Sequence, residues 1–230
     1  MCSAHLIRMD LGCNVRRMSE SVKRVYATGR RQAASAATRQ RIIDAASELI
    51  LLRGYRATTI GAVAERAEVN VDTIYQLIGR KPVLLRELIE QAISGHDHAV
   101  VAEERAPIVA MRAEPDPAIK LAMYARVIRE THVRLAPLFV ALRDAATTEP
   151  EAMEVWREIS DRRAANMRKL VREIDDVGGL RQDLPIDDAA DTVWATNSPE
   201  LYVMLTGERG WSPEHYERWL AATWQRLLLR

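Results

Sequence analysis

Four side chains in one short helical pattern have the types and spacing needed to contact DNA bases. Val71, Asp72, Tyr75 and Gln76 stand at i, i+1, i+4 and i+5, so they share one face of a helix. Gln76 can make two hydrogen bonds to adenine, Asp72 can accept one from cytosine, and Val71 can contact a thymine methyl group. Tyr75 and Lys81 suit phosphate oxygens. A plain helical hairpin with a polar face has the same spacing, so both interpretations stay open on spacing alone.

Three helices and the start of a fourth are predicted around these residues. Apolar residues at helical spacing place the first helix from Thr38 and the second between Ile60 and Ala67. Asn70 is the predicted N-cap of a third helix that ends near Ile78. The other start and stop signals are threonine N-caps, glycines at helix ends and a first-turn proline: Thr58, Thr59, Gly54, Gly79 and Pro82. Two short helices behind a longer one predict a helix-turn-helix.

The remaining sequence is also predicted to be helical, with proline and glycine between the elements. The predicted helices are Asp116–Arg134, Ala136–Thr147, Pro150–Val177, Ile186–Thr206 and Ser212–Leu229. Pro199 is expected to kink the fourth of these. No segment alternates apolar and polar residues with a period of two, so the sequence predicts an all-α fold of about nine helices.

Charge is divided unequally along the 230 residues. Residues 1–86 carry 15 basic and 7 acidic side chains, and residues 87–230 carry 18 and 25, although the net charge is only +1. The basic part is therefore a candidate for phosphate contact. Residues 1–37 show no regular period and are predicted to form a disordered basic arm. Met1 and Met18 both remain candidates for the start.

Composition excludes several classes of protein. With 48% hydrophobic and 28% charged residues, the chain is neither fibrous nor disordered as a whole. Its two cysteines, Cys2 and Cys13, are too few for a disulfide scaffold or a four-cysteine zinc site. The longest apolar run, Leu135 to Leu142, is too short for a membrane helix, and no signal-peptide stretch occurs. A cytoplasmic protein without membrane contact is expected.

No motif for catalysis or nucleotide binding is present, so neither an enzyme nor a cofactor is predicted. His96, Asp97 and His98 come nearest to a metal site. Because side chains two apart diverge on a helix, no metal is expected there.

The run from Thr38 to Leu85 resembles the N-terminal domain of TetR-type transcriptional regulators, the TetR/AcrR family. It has the family's order of features: Arg-Gly-aromatic at 53–55, Ala-Thr-Thr at 57–59, Ala-x-x-Ala at 64–67, Thr-aliphatic-Tyr at 73–75, and a lysine at 81. The run from Asp191 to Leu220 is similar to one subgroup of that family. The resemblance implies a homodimeric repressor that binds a pseudo-palindromic double-stranded DNA operator and is released by a small molecule.

Four positions depart from the family's pattern. Glu68 stands in the turn where the family usually has glycine; that position commonly needs a positive φ, which costs another residue about 1–2 kcal/mol. Leu77 and Ile78 replace His-Phe, which removes a phosphate contact. Asp72 replaces a common glycine and places negative charge near the groove. These departures leave the fold prediction unchanged but bear on operator sequence and affinity.

The resemblance and the spacing together assign domains and site residues. Residues 1–37 are the arm, 38–85 the DNA-binding domain, and 86–230 the ligand-binding and dimerisation domain. The predicted DNA contacts are Thr58, Thr59, Asn70, Val71, Asp72, Thr73, Tyr75, Gln76 and Lys81. The predicted pocket for a small apolar or amphipathic effector is lined by Met123, Tyr124, Phe139, Trp156, Trp194 and Asn197. The predicted dimer interface is Leu201, Tyr216, Trp219, Leu220, Trp224 and Leu227.

Two assignments also depend on the residues themselves. Asn197 is placed in the pocket because a buried mid-helix asparagine needs partners that a ligand could supply. The dimer interface is placed on the last helix because its apolar face is too wide for one neighbouring helix. The alternative function is a helical protein–protein interaction module without sequence-specific DNA binding. A helical-bundle enzyme is disfavoured by the missing motifs.

Overall fold

The computed structural model describes the backbone of residues 12–95, 101 and 104–230, and the side chains of these residues from position 32 onward. This part of the chain contains α-helices and no β-strand, so the predicted all-α fold is confirmed. The helices are α1 (Gly12–Ala57), α2 (Ile60–Arg66), α3 (Val71–Leu77), α4 (Lys81–Ser94), α5 (Ala106–Ala113), α6 (Pro117–Ala146), α7 (Pro150–Asp176), α8 (Ile186–Thr196), α9 (Pro199–Val203) and α10 (Pro213–Leu228). A π-helical turn, Met204–Glu208, follows α9 directly.

The chain divides into two compact units, residues 1–41 and 42–230. In the first unit, the side chains of residues 32–37 are exposed, and the Thr38 hydroxyl donates to the Ala34 carbonyl at 2.9 Å. In the second unit, none of the described helices is both long enough and apolar enough to cross a membrane. The predicted domain boundaries at 37/38 and 85/86 stay predictions.

Helix α1 begins at Gly12, so the prediction of disorder is wrong for residues 12–37. The prediction relied on an apolar stripe, whereas a solvated helix needs only helix-forming residues and no proline. The Ala-Ala-Ser-Ala-Ala sequence at 33–37 meets that requirement. Residues 1–11 of the predicted arm lie outside the described residues.

Two apolar cores stabilise the second unit. The first packs α1 to α4 against the C-terminal half of α6 and the N-terminal half of α7; its fully buried members include Ile42, Ile74, Leu85, Phe139 and Ile159. The second packs α5 and the other halves of α6 and α7 against α8 to α10; its members include Leu121, Val171, Tyr216, Leu220 and Trp224. The long helices α6 and α7 therefore connect the helix-turn-helix to the rest of the bundle.

Helix α6 is continuous, although the sequence predicts two helices separated at Leu135. Pro137 lies inside it and lacks the amide that would bond the carbonyl of Val133. Both residues are exposed, so water can donate a hydrogen bond to that carbonyl and the helix continues beyond the proline.

The predicted single helix Ile186–Thr206 is instead interrupted. Pro199 favours an extended conformation at Ser198, which has φ −70° and ψ 142°. The Ser198 hydroxyl then caps α9, and Pro199 occupies its first turn. The proline therefore starts a new helix rather than kinking an existing one. The short helix α5 has too little apolar pattern to have been predicted.

Candidate DNA-binding face and ligand cavity

The turn between α2 and α3 has the strained geometry that the sequence predicts. Glu68 has φ 54°, and it is the only non-glycine residue with positive φ among the described residues. The Glu68 amide donates to the Glu65 carbonyl at 3.2 Å, and the Val69 amide donates to the Ala64 carbonyl at 3.0 Å. These bonds end α2 and reverse the chain within four residues.

Both short helices begin at their predicted caps. The Thr59 hydroxyl accepts a hydrogen bond from the Ala62 amide at 3.1 Å, and the Asn70 side-chain oxygen accepts one from the Asp72 amide at 3.0 Å. Gly54 interrupts α1 as predicted, but its φ of 77° and ψ of 163° do not form the left-handed cap that was expected. That conformation is nearly restricted to glycine.

Helix α3 presents one polar face to solvent. Ile74 is fully buried in the first core, whereas Asp72, Tyr75 and Gln76 are exposed. The Tyr75 ring is 50% exposed. The structure therefore brings the predicted base-contacting side chains together on an accessible surface.

The other predicted DNA-contact residues differ in accessibility. Thr59 and Asn70 are exposed, and Val71 and Thr73 are half-buried. Thr58 is only 3% exposed, and its hydroxyl donates to the Gly54 carbonyl at 2.9 Å. The prediction of a direct DNA contact from Thr58 is corrected, because this side chain closes the α1–α2 turn.

Lys81 lies beside this face at the start of α4. Its ammonium group is 3.4 Å from the Arg56 carbonyl and 4.0 Å from the centre of the Tyr55 ring. Partial burial lowers the pKa of Lys81, and the negative charge of Glu149 opposes that effect. Lys81 therefore connects α1 to α4 while remaining half-buried near the surface.

A long cavity of about 500 Å³ lies inside the C-terminal bundle. Its lining residues on α7 extend from Ile159 to Glu173, about 21 Å along the helix axis. Helices α4, α5 and α6 supply most of the other lining residues, and Val101, Arg105 and Asn197 complete the lining. The apolar lining includes Ile93, Ile108, Met111, Ile128, Leu135 and Leu170.

Only two of the six predicted lining residues, Tyr124 and Asn197, reach this cavity. Phe139 and Trp156 pack in or against the first core, and Met123 and Trp194 pack against the second. The assignment of these last four residues to the lining is corrected. Helical spacing identifies which residues face inward, but it does not show which inward face is left unfilled.

A polar cluster stands on the cavity wall around Asn197, which is 1% exposed. The Arg163 guanidinium donates to its side-chain oxygen at 2.7 Å and to its backbone carbonyl at 3.3 Å. The Asn197 amide group is 3.0 Å from the Met167 sulfur and 3.5 Å from the Tyr124 hydroxyl. Asn197 therefore already has partners within the chain, contrary to the expectation that a ligand must supply one.

Burial shifts the ionisation of the residues around this cluster. Desolvation raises the pKa of Tyr124 to about 12. Desolvation, together with the positive charge of Arg163, lowers the pKa of His132 to about 3. His132 is 2% exposed and its Nδ1 has no hydrogen-bond partner among the described residues. The imidazole is therefore neutral at physiological pH.

Sequence analysis missed Arg163 and His132, although the pattern contained a signal for both. Arg163 follows Ile159 by four residues and precedes Met167 by four, so a basic residue occupies the apolar face of α7. His132 occupies the same kind of position on α6, between Ile128 and Leu135. A charged or polar residue on an apolar stripe indicates either a buried ion pair or a cavity.

Half of the predicted dimer interface belongs to the core of the single chain. Tyr216, Leu220 and Trp224 are fully buried, so their assignment to a subunit interface is corrected. The apolar face of α10 is wide because it packs on several helices of its own chain. Leu201 and Trp219 are half-buried and Leu227 is 44% exposed, so these three stay candidates.

The candidate metal group at His96, Asp97 and His98 lies outside the described residues. Within the ranges that the structure covers, no three His, Cys, Asp or Glu side chains are grouped as metal ligands.

The helix-turn-helix matches known proteins in sequence. Residues 42–88 match the profile of bacterial regulatory proteins, tetR family. Over 54 residues the chain is 43% identical to YvkB of Bacillus subtilis strain 168, described as an uncharacterized HTH-type transcriptional regulator. That alignment covers 24% of this chain and 29% of YvkB, so it spans less than a third of the relative.

The whole fold is similar to solved structures of low sequence identity. NalD of Pseudomonas aeruginosa, the secondary repressor of the MexAB-OprM multidrug efflux pump, is 20% identical with a TM-score of 0.67, covering 86% of this chain and 98% of NalD. A protein of Saccharomonospora viridis in complex with choline is 20% identical with a TM-score of 0.64, covering 84% and 97%. With the turn, caps and exposed face described above, these matches show that residues 42–88 form a helix-turn-helix similar to that of the tetR family, and that the rest of the chain shares the fold of these solved structures.

Proposed function

We propose that this chain is a sequence-specific DNA-binding transcriptional regulator, a homodimeric repressor that leaves its operator when a small molecule occupies the cavity. The observation that carries the DNA-binding part is the geometry of α3. Ile74 fixes the helix to the core, while Asp72, Tyr75 and Gln76 point to solvent on one face. A rigid helix with a free polar face suits the major groove.

A two-fold dimer would place one α3 in each half-site. The centres of the half-sites are then expected about one helical turn apart, roughly 34–36 Å, or a modest extension of it. Genomic-fragment selection with the purified protein, followed by a gel shift on the DNA flanking its own gene, tests this. Failure to bind any native fragment would favour the alternative, a helical protein–protein interaction module.

The orientation of α3 is tested with Gln76→Ala. Loss of two hydrogen bonds to one base should reduce the preference at one position of each half-site by about 1–3 kcal/mol. Gln182→Ala is the matched control, because Gln182 is an exposed glutamine in the α7–α8 connection. If Gln76→Ala leaves both affinity and base preference at the wild-type values, α3 does not face the bases in this way.

Phosphate contact is tested with Lys81→Ala. Affinity should fall by a similar factor for all DNA sequences. The slope of log affinity against log salt concentration should decrease by the contribution of about one phosphate contact. Because Lys81 also bonds the Arg56 carbonyl, the melting temperature of the variant must be compared with that of the wild type. Arg172→Ala, which removes an exposed cation on α7, is the control for net charge.

Contacts between the cavity and α4 support release by a ligand. Glu90 and Ile93 of α4 line the cavity, and Glu90 accepts a hydrogen bond from Arg162 of α7 at 2.6 Å. A second ion pair, Arg86 with Glu158, connects the same two helices. Since α4 follows α3 after a short turn, a ligand that moves α4 relative to α7 also moves the DNA-contacting helix. Such a ligand must bind the released state more tightly than the DNA-bound state.

The ligand part is supported by the choline complex of the S. viridis protein, because a bundle of similar fold holds a small molecule there. Compounds are screened for release of the DNA complex in a gel shift. Asn197→Ala and Tyr124→Phe should then change the concentration required, because both residues line the cavity. An inducer that acts at the same concentration on both variants would place the effector site elsewhere.

Homodimerisation is proposed through the apolar side chains that the chain leaves accessible near its C-terminus. Met204 and Leu227 are each 44% exposed, and Leu201 and Trp219 are half-buried. Light scattering should report a dimer at micromolar concentration, and Leu227→Glu should yield a folded monomer that binds the operator weakly. A folded wild-type monomer at that concentration refutes this part.

A further inference from the structure

The cavity has an excess of positive charge on otherwise apolar walls. Its described lining residues include five cations, Arg105, Arg112, Arg162, Arg163 and Lys169, and two carboxylates, Glu90 and Glu173. Both carboxylates are already engaged, because Arg162 donates to Glu90 at 2.6 Å and Arg112 donates to Glu173 at 2.8 Å. Arg112 and Arg162 are thus paired with the carboxylates of the lining, and the case for an anionic ligand rests on Arg163.

Arg163 lies near one end of the α7 wall of the cavity, one turn after Ile159. In the part of the chain that the structure describes, it makes no ion pair with a carboxylate. All its hydrogen bonds come from one nitrogen, Nη2, which donates to the carbonyls of Trp194 and Asn197 and to the Asn197 side chain. The carboxylate whose charge acts on it, Glu200, is itself bonded to Arg143 at 2.6 Å. Its remaining N–H groups form the planar donor arrangement that suits a carboxylate.

Neighbouring side chains add to the case for an anion at this position. The guanidinium carbon of Arg163 lies 5.3 Å from the Trp194 ring centre and 5.8 Å from the Phe139 ring centre, so the group packs against both aromatic rings. His132 of α6 also lines the cavity, and its neutral imidazole can donate a hydrogen bond to an anion. A half-buried cation without a carboxylate partner is costly, and an anionic ligand would relieve that cost.

The shape of the cavity restricts the rest of the ligand. From Arg163 the α7 wall continues to Glu173, about 15 Å along the axis, past Leu170 and opposite Ile108 and Met111 of α5. A space of this length, with Leu170, Ile108 and Met111 along it and the ion pair of Arg112 and Glu173 at its far end, fits an unbranched chain of about ten carbons.

On the premise that the cavity is the effector site, we propose that its ligand is a long-chain carboxylate. The carboxylate is held by Arg163 beside His132, and the alkyl chain lies against Leu170, Ile108 and Met111 toward α5. This deepens the proposed function by naming the chemical class of the effector. It also distinguishes this chain from the S. viridis protein, whose ligand choline is a cation.

The test compares three probes that share a ten-carbon chain and differ in the headgroup: decanoate, decanol and decyltrimethylammonium. Each is titrated into the full-length protein without DNA, below its micelle-forming concentration, by isothermal titration calorimetry. Decanoate should bind with a Kd at least tenfold lower than that of decanol, and decyltrimethylammonium should bind more weakly than both. Equal affinity for decanoate and decanol, or tighter binding of the cation, overturns the proposal.

Arg163→Met assigns the preference to one residue. In this variant the Kd of decanoate should rise at least tenfold while that of decanol stays within about twofold. Arg157→Met, the same change at an exposed position of α7, should alter neither. If Arg163→Met retains the wild-type preference for decanoate, the carboxylate is not held by Arg163. If Arg163→Met does not fold, titration of the same three probes into the wild type and into Arg163→Lys tests the proposal instead.

DNA release is measured separately, so the two proposals can fail independently. Decanoate that binds through Arg163 but leaves the operator complex intact would refute the effector role of the cavity and leave the ligand class standing. If another inducer releases DNA through this cavity and decanoate does not bind, the ligand class is refuted and the effector role of the cavity stands.

Discussion

Replacing Glu68 by glycine should stabilise the protein, because this residue is held at φ 54° in the turn between α2 and α3. A residue with a Cβ atom pays about 1–2 kcal/mol in this region of backbone conformation. Glycine avoids that cost but loses about 0.5–1 kcal/mol through the greater freedom of its unfolded chain. The expected net gain in the free energy of unfolding is therefore about 0.5–1 kcal/mol.

Nothing else in the contacts of Glu68 opposes this gain. Its side chain is exposed and makes no hydrogen bond or ion pair with any described residue. The turn bond from its amide to the Glu65 carbonyl does not depend on the side chain. Urea denaturation followed by circular dichroism measures the change, and the melting temperature should rise by about 1–4 °C for a chain of this size.

Two control variants separate backbone strain from charge and from glycine itself. Glu68→Ala removes the carboxylate but keeps the strained φ, so its stability should stay near that of the wild type. Glu65→Gly places glycine in regular α2 helix and should cost about 1 kcal/mol. Both Glu68 variants remove a negative charge near the DNA-binding face, so both should strengthen operator binding similarly. If Glu68→Gly is no more stable than Glu68→Ala, the positive φ is not a source of strain.

Three further predictions follow from the packing. The pKa of His132 is about 3 in the folded protein and about 6.5 when unfolded, so protons bind the unfolded state preferentially as the pH falls below 6.5. Between pH 7.5 and 5.5 the wild type should therefore lose about 1.4 kcal/mol more unfolding free energy than His132→Gln; parallel pH profiles would contradict this. Leu220→Ala should lower stability by about 2–5 kcal/mol, as expected for a fully buried leucine, whereas Leu227→Ala should mainly weaken dimerisation in light scattering. Thr59→Ala should cost about 1 kcal/mol in urea denaturation through loss of the α2 cap, and a change below a few tenths would argue against that cap.

The sequence by itself determined the local geometry of the helix-turn-helix. An N-cap side chain accepts a hydrogen bond from a backbone amide only two or three residues further along the chain. The caps Thr59 and Asn70 were therefore predictable from local sequence. Glu68 was predictable because the turn requires a positive φ whatever residue occupies it. The exposed face of α3 followed from helical periodicity, since a helix this short has one buried side, around Ile74.

Only the tertiary structure decided which inward-facing residues fill the core and which surround a cavity. Periodicity placed Phe139, Tyr124 and Trp224 equally on apolar faces, yet only Tyr124 borders empty space. That outcome depends on how four helices distant in sequence pack together, which no local pattern specifies. The same reason explains why α10 was assigned to a subunit interface, although most of its apolar side chains are buried within their own chain. It also explains Arg163, whose position on an apolar face is evident in the sequence but whose partners, Asn197 and the carbonyl of Trp194, are brought to it by the fold.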